Sequence, residues 1–188
     1  MVKTMKYILF CLHNKEIDKY QKRIVKDISK KFNINMTRVE NIFAHFTVKY
    51  SFEANPKQLE ELKKTLSKFT KIHKKQKIKV GEFDNFNKRV VFIKVNQSKN
   101  VKETISELHK ELRKLKWMPW ANFEKNGIHL HTTVAEESTE EIYPKIIKYL
   151  LGKEKYFDSY FNNITIMKFS TAKKPTRRWI IEKKYNLQ

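Results

Sequence analysis

Seven stretches of the chain are short runs of apolar, β-branched and aromatic residues, interrupted by polar positions, and this pattern predicts β-strands. Charged or turn-forming residues bound each run. The predicted strands cover residues 6–12, 42–52, 76–83, 89–95, 128–135, 164–169 and 178–182.

Four stretches between these strands carry apolar residues every three or four positions, which predicts amphipathic helices. Asn55 and Pro56 are typical of a helix start, and the capping-box sequence from Ser138 to Glu141 predicts another. Interleaved helices and strands indicate an α/β or α+β fold. The four apolar stripes are Ile17, Tyr20, Ile24, Ile28 and Phe32; Leu59, Leu62, Leu66 and Phe69; Ile105, Leu108, Leu112 and Leu115; and Ile142, Ile146, Ile147 and Leu150.

The order strand, helix, strand, helix, strand occurs twice, over residues 5–84 and 89–169, and a last strand near 178–184 stands outside this repeat. We interpret residues 1–188 as one domain made of two fused lobes. The turn at 84–88 has no Ser/Gly-rich linker, which indicates that the lobes form one rigid body. An offset of 86 residues aligns His45 with His131, Thr47 with Thr133, Val48 with Val134, Ile78 with Ile164, Val80 with Ile166 and Phe83 with Phe169.

Composition adds a constraint on the partner. The chain has 41 Lys and Arg against 20 Asp and Glu, a net charge of +21, and 40% of its residues are apolar, which is enough for a well-packed core. Such an excess of cations favours a polyanionic partner, first of all nucleic acid. A general lysine bias on the solvated faces of amphipathic helices explains the charge equally well.

Several classes of protein are excluded. The single cysteine, Cys11, lies in an apolar run and excludes a disulfide framework, and that run is too short to cross a membrane. We therefore expect a cytoplasmic protein with a core-packed Cys11. With only three glycines, the chain has no Gly-rich phosphate loop of the Walker or Rossmann kind.

The sharpest repeated feature is a His-x-Thr-Val sequence, found at residues 45–48 and again at 131–134. Side chains two apart on a strand share a face and lie about 6 to 7 Å apart, so each His and Thr would place two polar groups side by side. Two such pairs can bind one phosphate from opposite sides. The imidazoles can then exchange protons and the hydroxyls can donate hydrogen bonds to the phosphate oxygens, without a metal. One copy would be an ordinary strand with a satisfied histidine, but two matching copies argue against coincidence.

Three segments resemble the 2H phosphoesterase superfamily, which includes the RNA 2′,3′-cyclic phosphodiesterases historically called 2′-5′ RNA ligases. They are NIFAHFTVKYSFEANPKQLEEL, GIHLHTTVAEES and KRVVFIKV, and the resemblance extends over nearly the whole chain. It implies a bilobal, pseudo-two-fold α+β fold in which two antiparallel-type sheets flank a central cleft, with helices outside. It also implies metal-independent cleavage of a reactive phosphodiester, with no cofactor.

The resemblance further implies a division of labour within the two motifs. His45 would donate a proton to the leaving ribose oxygen, His131 would accept one from water, and Thr47 and Thr133 would hold phosphate oxygens. The expected reaction opens a 2′,3′-cyclic phosphate on an RNA end or small nucleotide by cleaving P–O3′, which leaves a 2′-phosphate, and we also expect weak 2′-5′ RNA ligase activity. We expect a monomer without an obligate protein partner or a membrane.

Three other interpretations stay open. The same cleft could hold a nucleotide or RNA end without turnover, or act on linear or 2′-5′ phosphodiesters. A basic RNA-binding surface is the third, and its salt dependence would survive the loss of both motif histidines.

Seven residues outside the paired motif positions are predicted to bind substrate. Lys49 continues the odd-numbered face of β-strand residues His45 and Thr47 and could neutralise phosphate, or it could be a solvated strand end. Rings in the loop before the second motif, which also contains Trp117, could stack a base or pack in the core. The predicted substrate contacts are Lys49, Arg89, Trp120, Phe123, His129, Arg177 and Trp179.

The remaining histidines are less informative. His129 precedes His131 by two residues, so the pair could bind a transition metal, but we favour a contact with the edge of the substrate, or solvent exposure, and expect no metal. The three others have no matching partner in the repeat, and we expect them at the surface. They are His13, His73 and His109.

Overall fold

The computed structural model describes residues 3–34, 42–125, 128–136, 141–172 and 178–188. The strands are β1 (Met5–Leu12), β2 (His45–Ala54), β3 (Gln76–Phe86), β4 (Val90–Asn96), β5 (His131–Glu136), β6 (Phe157–Phe161), β7 (Asn163–Phe169) and β8 (Trp179–Asn186). The helices are α1 (Lys15–Phe32), α2 (Pro56–Ile72), α3 (Lys99–Arg113), α4 (Asn122–Lys125) and α5 (Tyr143–Leu150). Among the described residues, no helix is both long enough and apolar enough to span a membrane.

All seven predicted strands and all four predicted helices are present, with shifted ends. Asn55 caps α2 in a reciprocal pair with Gln58, and Pro56 occupies the first turn, as predicted. Ser138, the predicted start of α5, lies outside the described residues, and the helix begins at Tyr143 without a side-chain cap. The five-residue strand β6 and the one-turn α4 were not predicted, because elements this short carry too little periodicity.

The strands form two antiparallel four-stranded sheets. Sheet A has the order β2-β1-β7-β8 and sheet B the order β5-β4-β3-β6. The third strand of each sequence repeat is therefore exchanged: β3 pairs with β4, and β7 pairs with β1. Since each sheet contains strands from both repeats, the sheets do not follow the boundaries of the sequence repeat.

Most of the core lies in one apolar cluster that joins helices and both sheets, with Ile24, Leu62, Val80 and Ile166 almost fully buried. Cys11 is buried in it, as predicted. A smaller cluster covers the other face of sheet A. It consists of Ile8, Phe10 and Met167, with Leu12, Ile42, Phe43 and Trp179 packed against it.

Candidate active site

The first motif occupies the start of β2, at the edge of sheet A. His45 and Thr47 are partly exposed, whereas Phe46 between them is fully buried, as the strand alternation requires. The Nδ1 atom of His45 lies 2.6 Å from the carbonyl oxygen of Phe43. Because a carbonyl can only accept, Nδ1 carries the hydrogen, and Nε2 of the neutral ring is free to exchange a proton.

The second motif repeats this geometry at the edge of sheet B. His131 and Thr133 are partly exposed around the buried Thr132, and Nδ1 of His131 lies 2.8 Å from the carbonyl oxygen of His129. In both motifs the ring is thus oriented by the carbonyl two residues earlier. The strands β2 and β5 contact each other, so the two edges that carry the motifs meet.

Both catalytic-type histidines are held neutral in the free protein. Burial lowers the pKa of His45 to about 4, the bond to the Phe43 carbonyl opposes this, and a charge on His131 lowers it further. The pKa of His131 is also lowered, first by burial and also by the nearby His129. A bound phosphate would reverse these effects, because an anion stabilises a protonated imidazole.

A β-bulge follows the threonine of each motif. Phe10 pairs with Thr47 but Leu9 pairs with Lys49, so Val48 is an extra residue in β2. In β5, Val134 is the extra residue between Thr133 and Ala135. A single extra residue moves the following side chains to the other face of the strand.

The bulge overturns the prediction that Lys49 shares a face with His45 and Thr47. Lys49 points into the core with only 1% of its side chain exposed, and its Nζ lies 3.0 Å from Oε2 of the equally buried Glu124. It therefore cannot neutralise a phosphate held by the motif, and the ring of Trp120 covers its ammonium at 4.7 Å. The sequence pattern failed here because the bulge breaks the period of two.

Glu124 is a residue that the sequence reasoning missed. Its carboxylate accepts hydrogen bonds from the backbone of Tyr50 and Ala121 as well as from Lys49, so it fixes the loop before the second motif to β2. The signal in the sequence was weak, because a glutamate in a lysine-rich segment is usually a surface residue.

The same bulge turns Tyr50 outward, into the place that the unbroken alternation gives to Lys49. Tyr50 is 49% exposed and its ring meets Phe123, which is 60% exposed, edge to face at 5.2 Å between centroids. Trp120 instead packs between cations, with the Arg113 guanidinium 4.2 Å from its ring centre. The predicted base contacts of Phe123 and Trp120 stay predictions, and Phe123 is the more accessible of the two.

The structure places the other predicted contacts as follows. Trp179 packs in the small cluster on sheet A, where the centroid of its ring lies 6.4 Å from that of Phe10. The ring of His45 stacks on the same phenylalanine, at 3.6 Å between centroids. His129 is exposed, and its ring lies 6.4 Å from that of His131. Arg89 is exposed in the β3–β4 turn, where its backbone N–H donates to Phe86. Arg177 lies outside the described residues.

The prediction that His109 lies at the surface is wrong, whereas His13 and His73 are both partly exposed, and His73 stacks on Phe69. His109 is buried and its Nε2 donates to the carbonyl oxygen of Val48, at the bulge of the first motif. Gln21 in α1 makes a similar contact, because its Nε2 donates to the carbonyl oxygen of Thr133. Each repeat thus supplies a helix side chain that supports the motif strand of the other.

Within the described ranges, no three or more His, Cys, Asp or Glu side chains group together in a way that could hold a metal ion. One cavity of about 400 Å³ is lined by residues that include Arg23 and Lys153. Another, of about 430 Å³, is lined by residues that include Lys6 and Trp117. Neither includes a motif residue, so the candidate site rests on the geometry of the two motifs.

A family model described as the 2′-5′ RNA ligase superfamily matches residues 15–172. Among solved structures, E. coli LigT complexed with 3′-AMP is similar with a TM-score of 0.67 and 11% identity, over 98% of this chain and 99% of that one. A protein described as a phosphoesterase gives 0.64 and 11%, over 98% and 99%. The protein TT0787 of Thermus thermophilus gives 0.64 and 11%, over 97% and 98%. These likenesses confirm the predicted 2H phosphoesterase fold.

Proposed function

Because this chain belongs to the 2′-5′ RNA ligase superfamily of 2H phosphoesterases, we propose that it hydrolyses 2′,3′-cyclic phosphate ends of RNA or small nucleotides to 2′-phosphates. The observation that carries the proposal is the matched orientation of two histidines. Each donates through Nδ1 to the carbonyl two residues earlier and keeps Nε2 available on the same strand face as a threonine hydroxyl.

The proposed reaction begins when the cyclic phosphate enters between the motifs. The hydroxyls of Thr47 and Thr133 donate hydrogen bonds to non-bridging oxygens, which stabilises the charge that develops on them. The phosphate anion raises the pKa of His45, which takes up the proton that the free protein lacks. Burial thus keeps His45 neutral until a substrate is present.

In the chemical step, His131 accepts a proton from water through Nε2, and the water oxygen forms a bond to phosphorus. The P–O3′ bond breaks, and His45 gives its Nε2 proton to the departing O3′. The products are a 2′-phosphate and a free 3′-hydroxyl. His131 is then protonated and His45 neutral, and exchange with water restores the starting state. If the 5′-hydroxyl of a second RNA replaced water as the nucleophile, the same step would form a 2′-5′ phosphodiester, which would appear as weak ligation.

Charge and aromatic residues support a nucleotide as substrate. The net charge of +21 favours a polyanion. The exposed Tyr50 lies beyond Thr47 on the strand that carries the first motif, and the exposed ring of Phe123 packs against it. E. coli LigT, which shares the fold, has been solved with 3′-AMP and with phosphate. We propose that this chain acts as a monomer in the cytoplasm.

The test is incubation of the protein with 2′,3′-cyclic nucleotides and cyclic-ended RNA in the presence of EDTA, followed by phosphorus NMR of the product. We expect a 2′-phosphate from the wild type and, over the same time, at most a trace of it from H45A or H131A. Binding without turnover would identify a nucleotide-binding module instead. Turnover that EDTA abolishes would contradict the metal-independent mechanism.

A further inference from the structure

A third histidine lies directly behind the two motifs. His13 follows β1, and its Nε2 is 2.7 Å from Oγ1 of Thr132, the residue between the motif pair His131 and Thr133. The other side of its ring meets the edge of Phe46, the residue between His45 and Thr47, at 5.5 Å between centroids. One imidazole therefore contacts the central residue of both motifs.

The protonation state of His13 follows from its surroundings. Its Nδ1 is buried and has no hydrogen-bond partner among the described residues, so a hydrogen there would be left unsatisfied. The hydrogen therefore belongs on Nε2, which donates to the Thr132 hydroxyl. Burial, assisted by the repulsion of a charged His45, lowers the pKa of His13 to about 3, so the ring stays neutral.

Backbone pairing does not fix the distance between the motifs. β2 and β5 are the outer strands of two different sheets, so no ladder of hydrogen bonds joins them. Side chains must therefore set their spacing. The short segment 13–21 contacts both strands. At Ala44, next to His45, the backbone N–H of His13 donates to the carbonyl oxygen and Asp18 accepts from the N–H. On β5, the ring of His13 contacts Thr132 and the side chain of Gln21 donates to Thr133.

We propose that His13 is a positioning residue that holds the two motif strands at the spacing at which both His and Thr pairs reach one phosphate. It does not touch the reacting atoms, because Phe46 and Thr132 belong to the opposite strand face from the motif side chains. A displacement of about 1 Å in such a site can cost about a hundredfold in rate. The inference rests on the proposed function.

The test compares H13M, which fills the space without a donor, with H13Q, whose amide nitrogen can take the place of Nε2. We expect kcat for a 2′,3′-cyclic nucleotide to fall about a hundredfold in H13M and to return to within about tenfold of wild type in H13Q. T132V should resemble H13M, and the double variant H13M/T132V should be no worse than either. T70V removes a buried hydroxyl that bonds within α2 and is the matched control, which we expect to leave kcat unchanged.

A second measurement does not depend on turnover. Inorganic phosphate is titrated into the protein while NMR follows the ring signals of His45 and His131. In the wild type and H13Q we expect both rings to respond with one shared affinity, and in H13M and T132V with weakened affinity. If the rings of His45 and His131 still respond together in H13M and T132V, with the phosphate affinity of the wild type, the inference is overturned. If wild-type phosphate binding depends on His13 but no cyclic substrate is cleaved, the proposed function fails and the inference stands.

Discussion

The two motif strands share a backbone but differ in chemical surroundings. Both orient a histidine through the carbonyl two residues earlier, and both bulge after the threonine. Across the strand pair, however, His45 and Thr47 face Leu12 and Phe10, whereas His131 and Thr133 face Lys94 and Phe92. The cross-strand partner of His45 is therefore apolar and that of His131 is a lysine, although the rings of Phe86 and Phe92 also lie 4.9 and 5.1 Å from the ring of His131.

The difference continues beyond the bulge. In β2 the bulge turns Lys49 inward to a buried ion pair, whereas its counterpart in β5 is the buried Ala135. On sheet B the charges stay at the surface, where Lys94 pairs with Glu82 at 3.2 Å and Asp84 at 3.3 Å. The two motif strands therefore share the backbone geometry of their His and Thr pairs, whereas the side chains around each histidine differ.

The largest expected effect comes from removing either histidine. We expect H45A and H131A each to lower kcat by about a thousandfold, within the range of about 10² to 10⁴ that a general acid or a general base contributes to the rate. Hydrolysis of cyclic nucleotides followed by phosphorus NMR is the measurement. Substantial activity in one of the two variants would show that the motifs are not equal partners.

The second expected effect concerns stability. K49M leaves Glu124 as an unpaired buried charge and should lower the free energy of unfolding by about 3 to 5 kcal/mol, measured by urea denaturation. The double variant K49M/E124Q should recover most of this loss. If Lys49 neutralised the phosphate instead, K49M would raise KM and leave stability nearly unchanged.

The third effect sharpens the contrast between the histidines. Since His45 is stacked on Phe10 and its pKa is lowered to about 4, we expect its NMR titration to lie below that of His131 in the free protein. The proposed reaction needs His45 protonated and His131 neutral, and both pKa values are lowered, so kcat/KM should be greatest below about pH 6.5, the ordinary pKa of histidine. In the pH profile of kcat, activity should be lost at a higher pH than in the profile of kcat/KM, because bound phosphate raises the pKa of His45. An optimum of kcat/KM well above about pH 7 would contradict this account.

The smallest expected effect is on substrate affinity. F123A and Y50A remove rings that are exposed beside the first motif, and each should raise KM for a cyclic nucleotide by about tenfold, within the range of about 1 to 3 kcal/mol for stacking a base. The control is Y160A, which removes an exposed ring from β6 and should leave KM unchanged. F43A and F32A are unsuitable as controls because those rings pack against the core. Unchanged KM in F123A and Y50A would place the base elsewhere.

Much of the site was predictable because its information is local. The strands, the helices and the face shared by each His and Thr follow from side-chain periods of about 2 and 3.6 residues, which a sequence displays directly. Lys49 was misplaced because the same reasoning assumes an unbroken strand, and cross-strand pairing with β1 decides where the extra residue Val48 goes. The burial of His109 was missed because it lies in a lysine-rich helix, and the carbonyl of Val48 that it contacts is 61 residues away in the chain.

The sequence by itself determined the elements, the repeat and the two His-x-Thr motifs, since these depend on neighbours a few residues apart. Only the tertiary structure decided the exchange of β3 and β7 between the sheets, the inward turn of Lys49 toward Glu124, and the position of His13 between the motifs. The two side-chain contacts join residues 75 and 119 positions apart in the chain. Such contacts form only when packing brings distant polar groups together, because a buried donor or charge must find its partner wherever the fold supplies one.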